Sequence, residues 1–327
     1  MSQGRDIEKT ISRAKFAEEA GFDAFWLAHD PIRHLDTFQL LAVCAISTSK
    51  IKLGTSAFNC VTVHPVEVAE SICTLDMISN GRSIMGLGAA GSYVYLLGLK
   101  QAASKELSYS ANIIKTLIKG GSVQFADHTL HLSTAHRQIP LYLFAEGPRN
   151  LRLAGSIADG IVIGGGFTEE VIRWAEREIL KGSRSSGRST DGLELVYSGF
   201  LNIDDDSKRA RDSLKKRTSV RAYNNFRFSF ETVPQNILPE IEAFQKSANE
   251  LMKSVANITE FQNSINPAKV PDYIIDRFCI AGNAADCVKR IQQANDMGVK
   301  HLHLTIPEQS YDRVLDIFAR DIMPSFN

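Results

Sequence analysis

Apolar residues recur along the chain in two patterns, one with the period of a helix and one continuous over short runs. Residues 6–20 show the helical period, Gly21 ends that helix, and the apolar run AFWLA follows as a short strand. This unit recurs along the chain. The predicted helices cover residues 6–20, 38–48, 65–79, 109–119, 148–158, 168–181, 284–297 and 311–322, and the predicted strands are AFWLA, IKLGTS, SIMGLG, LYLFA, DGIVIGGG, LELVYSGFLNI and HLHLTI. A separate hairpin, SVQFADHTLHLS, has its turn near Ala126, Asp127 and His128.

Short apolar strands separated by helices predict a parallel sheet covered on both faces. The strands number close to the eight of a (β/α)8 barrel, whose typical length of about 250 residues leaves room for insertions in a chain of 327 residues. The main insertion covers residues 208–273, which are charged at first, then aromatic, then polar and helical. We therefore predict one domain over residues 1–327, an α/β TIM barrel with an elaborated loop; the alternative is an open doubly wound sheet.

Composition points to a small-molecule partner. The chain has 37 Lys plus Arg and 37 Asp plus Glu, so no excess charge favours a nucleic acid or an anionic membrane. Its five scattered cysteines show no C-x-x-C spacing, which argues against a disulfide framework or a metal site. The N-terminus is polar, and no apolar run reaches the roughly 18 residues of a membrane span. We therefore expect a soluble protein of a reducing cytoplasm.

Three strand ends are candidates for binding. GTSAFNCVTVHP (residues 54–65) ends a strand in small and polar residues, which leaves room for a ligand but also fits a strand that tapers into a loop. GLGAAGS (residues 86–92) matches the spacing of a dinucleotide fingerprint, but no clear helix follows, so we reject that interpretation. FAEGPRN (residues 144–150) exposes backbone N–H groups at a helix start, which favour an anion, although ordinary turns share this pattern.

Five blocks of the chain together resemble a known family. They are GFDAFWLAHD, KIKLGTSAFNCVTVHP, LDMISNGRSIMGLGAAGS, IPLYLFAEGPRNLRLAGSIADGIVIGG and FCIAGNAADCVKRIQQANDMGVKHLHLTIP. They are similar to the bacterial-luciferase-like superfamily, and most similar to its deazaflavin-dependent branch, the methylene-tetrahydromethanopterin reductases. The resemblance implies a (β/α)8 barrel that binds the deazaflavin coenzyme F-420, or alternatively flavin mononucleotide (FMN), at the carboxyl ends of its strands.

The resemblance implies roles for residues at the first two of these strand ends. A cis peptide bond between Ser56 and Ala57 would back the middle ring of the cofactor, and Asn59 would face the substrate. In the GLGAAGS segment, Gly88 and Ala89 would lie beside the same ring.

At the third strand end, the resemblance implies a phosphate site formed by Ala145, Glu146, Gly147 and Pro148, with Gly164 at the next strand end. Glu146 departs from the family, whose members usually carry a small residue there. Its charge would repel a phosphate unless the side chain points away, and Arg149 is a candidate to compensate. The basic segment 208–221 could meet an anionic cofactor tail, but we interpret it as a solvated helix face balanced by nearby aspartates.

His29 and Asp30 are the candidate catalytic residues. Relatives usually carry Asp and then His after the Trp-containing strand, whereas this chain carries the reverse order. Because successive strand residues point to opposite sides, the swap places a different group at the cofactor, unless a local shift restores the arrangement. The alternative is a rim histidine held by hydrogen bonds and an aspartate that caps the turn before Pro31.

Relatives begin with a strand before the first helix, and only MSQGR precedes that helix here. We therefore expect a barrel that lacks its first strand, together with the acid that this strand carries in the reductases. The predicted function is an oxidoreductase that transfers a hydride from reduced coenzyme F-420 to a small organic acceptor, with methylene-tetrahydromethanopterin as one candidate. The alternatives are an FMN-dependent monooxygenase and a non-catalytic flavin-binding barrel. Relatives are commonly dimers, so we expect a homodimer.

Overall fold

The computed structural model describes residues 4–135 and 137–326, so Met1–Gln3 of the segment MSQGR lie outside the described residues. The helices are α1 (Ile7–Glu19), α2 (Thr37–Ser47), α3 (Pro65–Ile78), α4 (Ser104–Ile118), α5 (Pro148–Ile157), α6 (Glu169–Ser185), α7 (Ser207–Ser229), α8 (Leu238–Ser254), α9 (Ile258–Ser264), α10 (Asp272–Phe278), α11 (Ala284–Asp296) and α12 (Tyr311–Ile317). The strands are β1 (Ala24–Leu27), β2 (Lys52–Thr55), β3 (Ser83–Leu87), β4 (Ser122–Phe125), β5 (His128–His131), β6 (Leu141–Ala145), β7 (Gly160–Ile163), β8 (Glu194–Ile203), β9 (Cys279–Gly282) and β10 (His301–Thr305).

The described strands form an eight-stranded sheet and a two-stranded hairpin. The order in the larger sheet is β1-β2-β3-β6-β7-β8-β10, and β9 also pairs with β8. The antiparallel hairpin of β4 and β5 has its turn at Ala126 and Asp127, which confirms the predicted hairpin. The chain divides into two compact units. The first contains the described residues of Met1–Phe144, Leu153–Ile161 and Ser186–Glu194, and the second those of Ala145–Arg152, Val162–Ser185 and Leu195–Asn327.

In the first unit, parallel pairing joins β1 to β2, β2 to β3 and β3 to β6. Trp26 of β1 lies opposite Gly54 of β2, and a Cβ at Gly54 would lie 2.3 Å from the indole ring. The glycine therefore leaves the space that the indole occupies, which explains a residue that is otherwise unfavourable inside a strand.

In the second unit, β8 pairs in parallel with β10 through its first half and with β9 through its second half. The predicted insertion at residues 208–273 contains α7, α8, α9 and the start of α10. Its helices share an apolar core in which Phe226, Phe261 and Phe278 are fully buried. The insertion is therefore a packed helical layer rather than an open loop.

Local sequence determines where the helices begin. The side chains of Asp6 and Asp36 accept hydrogen bonds from the first turns of α1 and α2, and such caps satisfy N–H groups that have no partner within the helix. His64 caps α3 in the same way, with Pro65 at the first helical position. None of the described helices is long and apolar enough to cross a membrane.

The structure corrects the predicted number of strands, and it confirms that the dinucleotide fingerprint was rightly rejected. Seven strands were predicted for the main sheet, and β9 is the additional one. It begins at Cys279, directly after α10 ends at Phe278, so no turn residue marks the boundary. A 3-10 turn, Ser92–Leu97, begins at the last residue of the GLGAAGS segment, where a dinucleotide fingerprint requires a helix.

Candidate functional site

Thr55 and Gly86 bring the ends of β2 and β3 close together in the first unit. The Thr55 hydroxyl donates a hydrogen bond to the Gly86 carbonyl at 2.8 Å and accepts one from the Gly86 N–H at 3.0 Å. A Cβ at Gly86 would lie 1.9 Å from the Thr55 carbonyl oxygen. No other residue fits at position 86 unless the two strands separate.

The segment after β2 contains the predicted cis peptide bond, between Ser56 and Ala57. The Ser56 N–H donates to the Leu27 carbonyl at 2.8 Å, and the Phe58 N–H donates to the Gly86 carbonyl at 2.8 Å. This segment is therefore held from both sides, by the ends of β1 and β3. The geometric prediction is confirmed, while the role of this bond in holding a cofactor ring stays a prediction.

Small residues from two adjacent strand ends form a surface that we call the strand-end floor, defined by Ser56, Ala57, Gly88 and Ala89. A Cβ at Gly88 would lie 3.1 Å from the Cβ of Ala57, so the two segments are in close contact. Ser56, Ala57 and Ala89 are partly exposed. The strand-end floor offers backbone and methyl groups, which suit a flat apolar ring.

Asn59 is buried, and its own loop uses its side chain. The amide Nδ2 donates to the hydroxyl of Tyr93, and Oδ1 accepts from the N–H groups of Val61 at 2.9 Å and Thr62 at 3.2 Å. The structure thus gives Asn59 a role in holding the loop after the strand-end floor. The substrate contact expected for Asn59 stays a prediction.

His29 follows β1 and lies against Phe58, with the two ring centres 4.0 Å apart. Its Nδ1 atom lies 3.2 Å from the hydroxyl oxygen of Thr37. Its Nε2 atom is buried and has no hydrogen-bond partner among the residues that the structure describes. Burial lowers the pKa of His29 to about 4, although the charges of Asp36 and Asp30 oppose this shift. The imidazole is therefore neutral at pH 7.

The carboxylate of Asp30 stabilises a turn. It accepts hydrogen bonds from the N–H groups of Ile32 and Arg33, both at 3.2 Å, and it forms an ion pair with the Arg33 guanidinium at 3.3 Å. This is the capping role that the sequence left open as the alternative. Of the two candidate catalytic residues, only His29 has an unpartnered polar atom.

In the second unit, Glu146 follows β6 and packs against the end of β7. A Cβ at Gly164 would lie 2.5 Å from the Glu146 Cγ atom and 2.7 Å from its Oε1 atom, so the Glu146 side chain occupies the space that Gly164 leaves. Burial raises the pKa of the Glu146 carboxyl, and the charge of Arg221 opposes this shift. The nearby cation is therefore Arg221, and not the exposed Arg149 that the sequence suggested.

Arg221 lies on α7 and turns inward. Its guanidinium donates to the Ser198 carbonyl at 3.1 Å and lies 4.3 Å from the ring centre of Phe200. The sequence placed Arg221 in a solvated basic face. That interpretation holds for the start of α7, where Lys208 and Arg209 pair with aspartates. It is wrong for Arg221, because helical periodicity turns this position toward the apolar side of α7.

The predicted phosphate turn has the expected backbone. Ala145 ends β6, and α5 begins at Pro148. A Cβ at Gly147 would lie 3.3 Å from the ring of Phe228, so an aromatic side chain of α7 covers this glycine. Phosphate binding by Gly147 and Pro148 stays a prediction.

Arg277 holds the glycine loop after β7. Its fully buried guanidinium donates to the Gly165 carbonyl at 2.9 Å, to Asn225 Oδ1 at 3.0 Å and to the Ser229 hydroxyl at 2.9 Å. The loop therefore depends on a side chain from α10 that sequence motifs did not identify. Its long sequence separation from the loop left no local signal.

Metal and thiol chemistry have little support within residues 4–135 and 137–326. No group of three or more His, Cys, Asp or Glu residues in this part of the chain could hold a metal ion. The cysteines are free thiols, and burial raises the pKa of Cys60, at the first strand end, to about 11. A thiol with such a pKa is a poor nucleophile at neutral pH.

The fold and the strand ends together define an α/β protein that carries its candidate residues at the carboxyl ends of parallel strands, where (β/α)8 proteins carry their sites. Comparison with known proteins agrees with this class. The family model described as luciferase-like monooxygenase matches residues 1–301. The chain belongs to this family.

Individual relatives are similar over nearly the whole chain. The 5,10-methylenetetrahydromethanopterin reductase of Archaeoglobus fulgidus is 25% identical over 319 residues, which cover 95% of this chain and 93% of the relative. The F-420-dependent glucose-6-phosphate dehydrogenase of Nakamurella multipartita is 24% identical over 328 residues, which cover 94% and 89%. The solved structure of the coenzyme F-420-dependent tetrahydromethanopterin reductase of Methanopyrus kandleri has a TM-score of 0.78 at 23% identity and covers 100% of this chain and 99% of that one. This likeness confirms the predicted fold class.

Proposed function

We propose that this chain is an oxidoreductase that binds the deazaflavin coenzyme F-420 and transfers a hydride between it and a small organic molecule. The observation that carries the proposal is similarity along nearly the whole chain to proteins named as F-420-dependent, a glucose-6-phosphate dehydrogenase and a tetrahydromethanopterin reductase. Membership of the luciferase-like monooxygenase family supports it. The methylene-tetrahydromethanopterin reductases among these relatives make a methylene-pterin the first acceptor to test.

The first unit has a surface that fits the ring of such a coenzyme. Gly86 and Gly88 leave no side chain between the ends of β2 and β3, and Ser56 and Ala57 are small and partly exposed. A flat ring can therefore approach the backbone closely. When bound, the deazaflavin ring supplies the hydride chemistry, and the protein supplies position and exclusion of water.

His29 is the titratable side chain that we propose to act on this surface. It stacks on Phe58, the residue after the cis peptide bond, and its Nε2 atom has no partner in the described chain. A neutral imidazole can accept a hydrogen bond or a proton from a bound molecule. We propose His29 rather than Asp30 for this role because the Asp30 carboxylate is engaged in the turn.

An FMN-dependent monooxygenase is the second candidate function. The description of the family model favours it, since that model is named for luciferase-like monooxygenases. The same strand-end floor would accept the ring of FMN, because methyl groups and backbone alone do not discriminate between the FMN ring and the deazaflavin ring. The choice between the cofactors therefore needs a direct comparison.

A fluorescence titration of the cofactor-free protein with coenzyme F-420 and, separately, with FMN tests the proposal. We expect saturable binding of the deazaflavin and weaker binding of FMN. A preference for FMN would favour the second candidate. Binding of neither would overturn both and leave a barrel without a flavin site.

We also propose a homodimer in a reducing cytoplasm. Support comes from exposed apolar side chains on adjacent helices, since Ile46 of α2 is 76% exposed and Met77 of α3 is 58% exposed. The free thiols of all five cysteines are consistent with a reducing compartment. Sedimentation equilibrium tests the dimer, and a monomer at micromolar concentration would overturn it.

A further inference from the structure

The hydroxyl group of Thr37 lies between two groups that set its hydrogen-bonding role. It donates to the Ala28 carbonyl at 3.3 Å, and a carbonyl oxygen can only accept. The Thr37 hydroxyl has a single proton, so toward His29 Nδ1, at 3.2 Å, it is left as an acceptor. With the Thr37 proton directed at the Ala28 carbonyl, His29 carries its proton on Nδ1.

The other ring nitrogen of His29 is consequently an acceptor without a donor. In a neutral imidazole that carries its proton on Nδ1, Nε2 has a free lone pair. This atom is buried and unpartnered within the described residues. A buried acceptor without a donor is unfavourable, so such an atom calls for an explanation. The His29 ring lies against Phe58, which directly follows Ala57 of the strand-end floor, so a ligand bound there is one source of the missing donor.

We infer that Thr37 holds His29 as the Nδ1–H tautomer, so that Nε2 accepts a hydrogen bond from an O–H or N–H group of the ring bound on the strand-end floor. The inference rests on the proposed function for the identity of that ring, because the deazaflavin ring system carries both kinds of donor. Thr37 is thus a positioning residue, and His29 is the group that touches the ligand.

The charged and titratable groups around His29 are compatible with a neutral ring. Asp36, at the start of α2, and Asp30, in the turn after β1, favour the charged form, while His34 disfavours it, and burial outweighs them all. Tyr93, whose ring lies edge-on to His29, is a neutral phenol because burial raises its pKa. None of these groups supplies a donor to Nε2.

The tautomer can be measured directly by nitrogen NMR of protein labelled with 15N-histidine and free of cofactor. At neutral pH we expect a protonated Nδ1 and an unprotonated Nε2 for His29, and an acid titration with a pKa of about 4. Comparison with His29→Gln and His34→Gln assigns the signals. A protonated Nε2 in the wild-type protein would overturn the inference, whatever the variants do.

Substitutions at Thr37 test its positioning role. Thr37→Val keeps the shape and removes the hydroxyl, so we expect a mixture of tautomers or a change to the Nε2–H form. Thr37→Ser keeps the hydroxyl and should keep the wild-type tautomer. An unchanged tautomer in a folded Thr37→Val variant would show that Thr37 does not set it.

Addition of coenzyme F-420 tests the contact with the ligand. We expect the Nε2 signal of wild-type His29 to move on binding, and we expect His29→Phe to bind the coenzyme about five- to tenfold more weakly, the usual effect of one lost hydrogen bond. Bound coenzyme with an unmoved Nε2 signal would overturn this contact. Failure of the coenzyme to bind at all would instead overturn the proposed function, while the cofactor-free spectrum would still decide the tautomer.

Discussion

Gly86 illustrates how a single residue sets the geometry of the candidate site. A Cβ at this position would lie 1.9 Å from the Thr55 carbonyl oxygen, so Gly86→Ala must push β2 and β3 apart. We expect a loss of about 3 kcal/mol or more in the free energy of unfolding, as for severe overpacking. Urea denaturation of the wild-type protein and of Gly86→Ala measures this loss.

A matched control for this prediction is Gly91→Ala, in the loop that follows β3. Gly91 has an extended backbone with φ of −79°, and its added Cβ would meet only the edge of the Tyr93 ring at 3.3 Å. We expect this control to cost less than about 1 kcal/mol. Equal losses of stability from the two substitutions would show that the contact with the Thr55 carbonyl oxygen does not restrict position 86 to glycine.

Glu146 makes a prediction about pH. Burial raises the pKa of its carboxyl in the folded protein, so the folded state binds this proton more tightly than the unfolded chain. The resulting stability is present below the ordinary Glu pKa of about 4.3 and is lost as pH rises through the raised pKa. Relative to Glu146→Gln, the wild-type protein should therefore lose stability with rising pH.

Urea denaturation of both proteins between about pH 4 and pH 8 measures this difference. Glutamine has nearly the same shape as glutamate and cannot ionise, so Glu146→Gln removes the titration and leaves the packing nearly unchanged. A difference in free energy that is independent of pH, or that changes in the opposite direction, would contradict the role of burial at Glu146.

Some residues of the site could be predicted from the sequence and others could not. Ser56 and Ala57 lie in a block that the family resemblance covers, so the cis bond between them was predictable. The engagement of Asn59 with Tyr93 joins residues 34 positions apart, and the charge of Arg221, on the inserted helix α7, acts on the pKa of Glu146. Such contacts depend on packing between distant segments, which no local pattern records.

At the scale of elements, Arg277 joins α10 to α7 and to the loop after β7. Arg277→Met would keep much of the apolar stem but remove the buried donor to the Gly165 carbonyl and one of the two donors to the Asn225 amide oxygen, the other being the Ser229 hydroxyl. Buried acceptors that lose a donor each cost about 1–3 kcal/mol, so we expect a loss of about 3 kcal/mol in stability.

Arg320→Met is the matched surface control, since Arg320 is 64% exposed and pairs with Asp316 and Asp321. Exposed ion pairs contribute at most about 1 kcal/mol. Thermal or urea unfolding gives the loss in free energy of unfolding for each of the two variants. Similar small losses would mean that the Arg277 network does not hold the glycine loop.

Helices were predictable to within a few residues wherever a cap or a glycine marks their ends. The predicted helix at residues 65–79 corresponds to α3 (Pro65–Ile78), which begins at a capping His64 and Pro65. Strand β9 was missed because the segment YIIDRFCIAG passes from helix to strand without a turn residue. The start of α4, at Ser104, was missed because polar residues occupy its first turn.

At the scale of the whole molecule, the order of the blocks carried most of the information. Five blocks in the family order predicted the fold class, and the family model and the TM-score of 0.78 confirm it. The division into two compact units, each built from separated segments, was not predictable. It depends on which distant segments pack together, and sequence periodicity reports only which faces are apolar.

The measurement that tests the central claim most directly is a single turnover with reduced coenzyme F-420 that carries deuterium at the carbon that donates the hydride. The protein is mixed without oxygen with the labelled coenzyme and methylene-tetrahydromethanopterin, and then with a panel of small ketones and aldehydes. We predict that oxidised coenzyme appears in an amount equal to the protein sites and that the product of one acceptor contains the deuterium. Two results would contradict hydride transfer by this chain. Either the coenzyme stays reduced with every acceptor although the protein is saturated with it, or the product lacks the deuterium label.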